Sequence, residues 1–402
     1  MGGRDPSEGH RAATPLELLF DLTFVIAFGA AANELAHLLA EGHIGTALLG
    51  FTFATFGIAW AWMNFSWFAS AYDTDDWVFR LATMVQMVGV IVLALGLEQM
   101  FASIDHGSTL DNGVMVAGYV VMRTSMLFLW AQAARHNPRR ASAARTYLWT
   151  IAVAQVGWVM LVFLQLSVAA TFAVAAVLLA IELAGPAIAE RSYGGTPWHA
   201  DHIAERYGLL VIITLGEGII GTVAALNAVV HGAEGWTLDA ALVAIAGVGL
   251  TFGSWWMYFA IPWAAALRVR RPRTFTWGYG HISMFAGLAA MGAGLHVAAL
   301  FLEHETEIGA VATALSVAIP VALYAGALYA VYSLVMHEAD PFHIWLLVGT
   351  AAVLVTPVLL AMIGVSVPVC LVVLMFAPVV TVVGFELVGH RHMVAALERI
   401  QG

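Results

Sequence analysis

Glu17 and Asp21 stand four residues apart in an apolar stretch, TPLELLFDLTFVIAF, at 14–28. Side chains at i and i+4 share one face of a helix, so these carboxylates are close enough for one to hold a proton or for both to share a cation. Arg123 lies inside another apolar run. A guanidinium cannot shed its charge, so it needs a carboxylate, and by depth along the chain the expected partner is Asp21 or Glu217. Glu217 is bracketed in LGEGIIG by Gly216, Gly218 and Gly221, which let a neighbouring helix or a ligand approach the backbone. Gln86 and His281 complete the candidates for binding a substrate or ion; Asn64, Glu182, His296 and the patch Asn33, Glu34 and His37 are further polar groups in such runs. The bland alternative for Arg123 is an ion pair that only clamps two helices. His202, Glu205 and Arg206 form a second cluster at the edge of an apolar run. With His199 they have near-helical spacing, but the pattern is not HExxH and no metal is expected there. Trp60, Trp62, Trp67, Trp255 and Trp256 could cage a ligand, although interfacial girdles and helix packing account for most such residues in membranes.

The elements that must hold these groups follow from composition. Of 402 residues, 61% are hydrophobic and 10% charged, against about 25% charged in ordinary globular chains. Mean hydropathy is +0.86. Apolar runs fall at 16–40, 44–70, 77–101, 113–134, 145–165, 168–188, 205–230, 238–264, 275–301, 309–335, 342–363 and 366–388. Each is long enough to cross roughly 30 Å of hydrocarbon as a helix. The expected fold is therefore an all-α integral membrane protein of about twelve transmembrane helices. The first run has an acidic start and no cleavage-site pattern, so it is expected to be a retained span. In a bilayer each buried ionisable group costs about 2.5 kcal/mol or more, which makes the residues above functional candidates by default.

All basic residues are arginine. Placed on twelve spans, those near span ends, including Arg4, Arg11, Arg80, Arg139, Arg140, Arg191, Arg270, Arg273, Arg391 and Arg399, fall on one side. The positive-inside rule then puts both termini in the cytoplasm. The run GIAWAWMNF at 57–65 is echoed by GSWWMYF at 253–259, and Glu17 and Glu205 hold matching positions. That similarity suggests two parallel six-helix repeats, an arrangement recurrent in transporters. The expected organisation is an N-terminal cytoplasmic segment at 1–15, a first repeat at 16–190, a cytoplasmic linker at 191–204, a second repeat at 205–388 and a cytoplasmic tail at 389–402. Cys370 is the sole cysteine, so no intramolecular disulfide can form.

Pro15, Glu17, Phe20 and Asp21, followed by Glu205, Arg206, Leu215, Gly216 and Glu217, resemble the two hallmarks of the bacterial low temperature requirement protein A (LtrA) family. The likeness extends over nearly the whole chain. It implies a multi-pass bacterial inner-membrane protein connected with growth in the cold, and it carries over no catalytic residue. The leading expectation is a secondary transporter of a small solute or ion, with a site between the halves formed by Asp21, Arg123 and Glu217. One alternative is a membrane-embedded enzyme or lipid-binding protein using Glu17, His202, Glu205 and Arg206 at the inner face. The other is a structural or sensory membrane protein. Neither a Walker loop, a dinucleotide fingerprint nor a haem-histidine pair occurs. No cofactor is expected, an enzyme is the lesser expectation, and the partners are membrane lipids and a small solute, with no nucleic acid.

Overall fold

The computed structural model describes residues 2–5, 8, 11–191, 194–230, 236–337 and 341–393. Arg399 and most of the expected tail lie outside the described residues, as does 231–235 of one inter-span loop. Among the described residues, twelve helical spans are long and apolar enough to cross a membrane: α1 (Pro15–Ala40), α2 (Ile44–Tyr72), α3 (Trp77–His106), α4 (Gly113–His136), α5 (Pro138–Leu164), α6 (Val168–Arg191), α7 (Ala200–Val230), α8 (Leu238–Val269), α9 (Arg271–Leu302), α10 (Ala310–Met336), α11 (Pro341–Met362) and α12 (Val367–Met393). The only β pairing among them is an isolated bridge between Thr109 and Ser167.

Local chemistry starts and stops these helices. Asp76 caps α3, its side chain accepting from the Phe79 N–H at 2.9 Å, and Thr237 caps α8 through the Ala240 N–H. The turn between α11 and α12 passes through Gly364 at φ +86°, a conformation that only glycine adopts without strain. Prolines lie inside α6, α10 and α11 (Pro186, Pro320, Pro357), as membrane-spanning helices tolerate.

The solvent for which the helices are built is legible on α1. Leu18, Leu19, Leu22 and Ile26 are exposed, while Glu17, Asp21, Phe20, Phe24 and Phe28 are buried. Apolar side chains point out and ionisable ones in, the reverse of a water-soluble helix. Phe163, Trp345 and Ile363 extend the same outward apolar surface on α5, on α11 and just past its end.

The chain forms two compact units, residues 1–31 with 57–206, and residues 32–56 with 207–402. In the first unit α3 and α4 cross at glycine: a Cβ on Gly118 would lie 2.3 Å from the Leu93 nitrogen, so any larger residue would force the helices apart. Trp130 of α4 stacks on Tyr147 of α5 with centroids 4.1 Å apart. In the second unit α9 is the core element, with 78% of its apolar window buried. The Tyr324 hydroxyl of α10 donates to the Ser254 carbonyl of α8 at 2.7 Å.

Candidate functional site: a buried charge cluster in the first unit

Two helix starts build the site. α1 opens with Thr14-Pro15-Leu16-Glu17, in which the Thr14 N–H donates to Glu17 Oε2 (2.8 Å) and the Glu17 N–H donates back to Thr14 Oγ1 (3.3 Å). This is a capping box, with proline at the first helical position where its missing N–H costs nothing. Asp21 follows one turn later on the same face. The first turns of α7 present His202 and Arg206, again four apart and on one face. The two i,i+4 pairs meet. His202 Nε2 lies 3.0 Å from Glu17 Oε1, Arg206 Nη1 lies 2.9 Å from the same oxygen, and Arg206 Nη2 donates to Asp21 Oδ1 at 2.5 Å.

α2 closes the cluster. The Trp62 indole N–H donates to Asp21 Oδ1 at 2.7 Å, and Ser66 Oγ accepts from Arg206 Nη2 at 3.2 Å. The guanidinium sits over the rings of Trp62 and Phe65, at 5.6 and 5.9 Å from their centroids, where the negative ring faces add cation–π attraction. Glu17, Asp21, His202 and Arg206 are each 1% exposed or less. Nevertheless, among the described residues, Asp21 Oδ2, His202 Nδ1 and Arg206 Nε have no hydrogen-bond partner. Two carboxylates face one guanidinium, so with a neutral imidazole the cluster carries one uncompensated negative charge. Protonating His202, whose Nε2–H is assigned from its contact with Glu17, balances it. Such a group can take up a proton or a cation, or exchange one carboxylate for an incoming anion at Arg206.

Just outside the spans, Arg11 donates to the Ser70 carbonyl and to the Ala69 carbonyl (3.0 Å) at the end of α2, completing the C-terminal carbonyls of that helix. Burial lowers the Arg11 pKa and raises that of Asp73, whose Oδ2 is 3.8 Å away.

The other sequence candidates go elsewhere. Arg123 pairs with Glu182 of α6 at 2.7 Å, not with the expected Asp21 or Glu217. The reason is that depth along the chain fixes height in a bundle but not azimuth, and α4 turns this face toward α6. Asp21 is instead held by Arg206. Glu182 also accepts from the Trp60 indole, from Tyr119 (2.8 Å) and from the Trp158 indole (3.0 Å), a knot drawing on α2, α4, α5 and α6, in which Arg123 Nε is left without a hydrogen bond among the described residues. Glu205 is exposed and accepts from the Ala13 N–H at 3.2 Å, turned away from His202 and Arg206 by the helical angle. Gln86 is buried with its Nε2 unbonded. His281 is saturated: its Nδ1 lies 2.7 Å from the Trp277 carbonyl and its Nε2 3.0 Å from the Tyr258 hydroxyl, an arrangement that suits a neutral ring. Glu217 is buried in the second unit without a cationic partner.

Sequence reasoning missed the pairing of Glu17 with His202 and the contribution of Trp62. The T-x-x-E pattern at 14–17 was the available signal for where α1 begins and hence which face Glu17 presents. A family model described as "Bacterial low temperature requirement A protein (LtrA)" matches residues 12–378, a range that includes every residue of the cluster. The chain is also 26% identical over 322 residues to an uncharacterized protein of Rhizobium meliloti (strain 1021), covering 76% of this chain and 73% of that one.

Proposed function

We propose that this chain, which belongs to the bacterial low temperature requirement A protein family, is an ion- or proton-coupled secondary transporter of a small solute or ion. Its binding site in this reading is the Glu17–Asp21–His202–Arg206 cluster. The supporting observation is that the cluster is fully buried yet unsaturated, with Asp21 Oδ2, His202 Nδ1 and Arg206 Nε unbonded. The cluster around Glu182 differs in its charge: there one carboxylate faces one guanidinium, whereas here Glu17 and Asp21 face the single guanidinium of Arg206, leaving a charge for a proton or cation to balance. Charging His202 would draw Glu17 from Arg206 and free the guanidinium for an anion, biasing the protein between conformations by differential binding. A bacterial inner-membrane location with both termini cytoplasmic, two parallel six-helix repeats, and a role in low-temperature growth belong to the same reading.

The test is transport. Purified protein reconstituted into vesicles with an entrapped pH dye is challenged with gradients of alkali cations and small carboxylates. One of these solutes should drive proton movement, and Asp21→Asn should abolish it while the protein remains monodisperse. Tight vesicles that show no solute-dependent proton movement across the panel, or an Asp21→Asn protein that transports normally, would overturn the assignment. Complementation of a cold-sensitive deletion strain by the same variants would test the growth role.

A further inference from the structure

We propose that Glu217 is a membrane-embedded proton-binding site of the second unit, distinct from the charge cluster of the first. Glu217 lies near the middle of the 31-residue α7 and is 5% exposed. Its Oε1 has no hydrogen-bond partner, and among the described residues no charged side chain interacts with it.

The neighbouring helices crowd it with groups that do not titrate. A Cβ on Gly292 of α9 would lie 2.4 Å from the Glu217 carbonyl carbon and 2.7 Å from its Cβ, so the two helices touch backbone to backbone at this residue. One residue along α7, Gly218 faces Thr251 of α8 and Met291 of α9, and Gly221 faces Leu295 and the Gly292 carbonyl. The Thr251 hydroxyl is already committed to the Gly247 carbonyl at 2.9 Å. On α9, His281 is engaged with Tyr258 and Trp277, and His296 lies against the His37 ring at 5.8 Å.

An ionised carboxylate in these surroundings would have no charged partner among the described residues, at a cost that drives such groups to neutrality. The ordinary structural reasons for a buried glutamate are absent. It caps nothing, because it is mid-helix, and it clamps nothing, because no cation or donor meets it. A metal ion would need several oxygen ligands. No group of three His, Cys, Asp or Glu suited to a metal occurs among the described residues. What remains is the neutral acid: a site that binds one proton, and that releases it only when its surroundings open to water.

The inference holds whether or not the transport reading does, and its test needs no solute. Dicyclohexylcarbodiimide partitions into the bilayer and adds to protonated carboxyls in apolar surroundings, leaving a stable N-acylurea that peptide mass spectrometry locates. The full-length protein in vesicles should be modified at Glu217, with labelling falling severalfold from acidic to alkaline buffer and lost in Glu217→Gln. Infrared spectra of the unmodified protein should contain a carboxylic C=O band that shifts in deuterated buffer, a readout that needs no variant. Absence of labelling at Glu217, labelling independent of pH, or protection by sodium or potassium at constant pH would each overturn the proposal, the last in favour of a cation site.

Discussion

Removing Glu182 should unfasten the first unit, and the cost can be worked from its contacts. The carboxylate accepts from Arg123, Tyr119, Trp60 and Trp158, all buried. The charge-assisted bond to Arg123 is worth about 2 kcal/mol, and each of the three others about 0.6 kcal/mol, the average measured for interhelical bonds in a bilayer. Glu182→Ala therefore loses about 4 kcal/mol, inside the range of roughly 3–5 kcal/mol for breaking one side of a buried ion pair. Arg123→Met combined with Glu182→Gln removes both charges but keeps an acceptor for the aromatic donors, so it should fall within about 1 kcal/mol of the parent. Equilibrium unfolding by SDS in mixed micelles, followed by tryptophan fluorescence, measures both, and Trp60 and Trp158 report the site directly. If Glu182→Ala costs under about 1 kcal/mol, or if the double variant is no more stable than the single one, the knot is not what holds these helices.

Gly292→Ala should lower stability by about 1–3 kcal/mol by forcing α7 and α9 apart, visible as a reduced melting temperature in detergent. Asp76→Ala should cost about 1 kcal/mol by removing the α3 cap. The Phe79 N–H holds the Asp76 carboxyl below its ordinary range. Its charge contribution is thus present above the unfolded value of about 3.9 and lost as pH falls through the lower folded value. Asp76→Asn should keep the cap and lose that dependence in a melting series against pH. Trp62→Phe should cost about 1 kcal/mol by taking a donor from Asp21, and an unaltered melting temperature would argue against that bond.

The spans were legible because apolar length and its punctuation are local properties. The expected 113–134 is observed as Gly113–His136, and 44–70 as Ile44–Tyr72. α7 begins earlier than the apolar run at 205, at Ala200. The segment ADHIAER reads as polar linker, yet it is helical with His202, Ile203 and Arg206 turned inward. Polarity marks a span end only when the polar groups face water, and here they face each other. Which charges pair was not legible. Depth along the chain pointed Arg123 to Asp21 or Glu217 and passed over Glu182, the partner it has, because depth says nothing of the face a helix presents. The Glu17–Asp21 spacing did identify a shared face, because i,i+4 geometry needs no tertiary knowledge.

The Glu17 carboxylate has two employments at once: it closes the capping box that starts α1, and it is the counter-ion that Arg206 and His202 lean on. A change of charge in the cluster is therefore also a mechanical event. Whatever shifts that side chain away from Thr14 frees an N–H at the head of α1 and loosens the turn that follows. The segment just before this point is fastened twice, through Arg11 to the end of α2 and through Ala13 to Glu205 of α7. The first turn of the first helix is thereby tied by one carboxylate to the electrical state of a cluster buried beneath it.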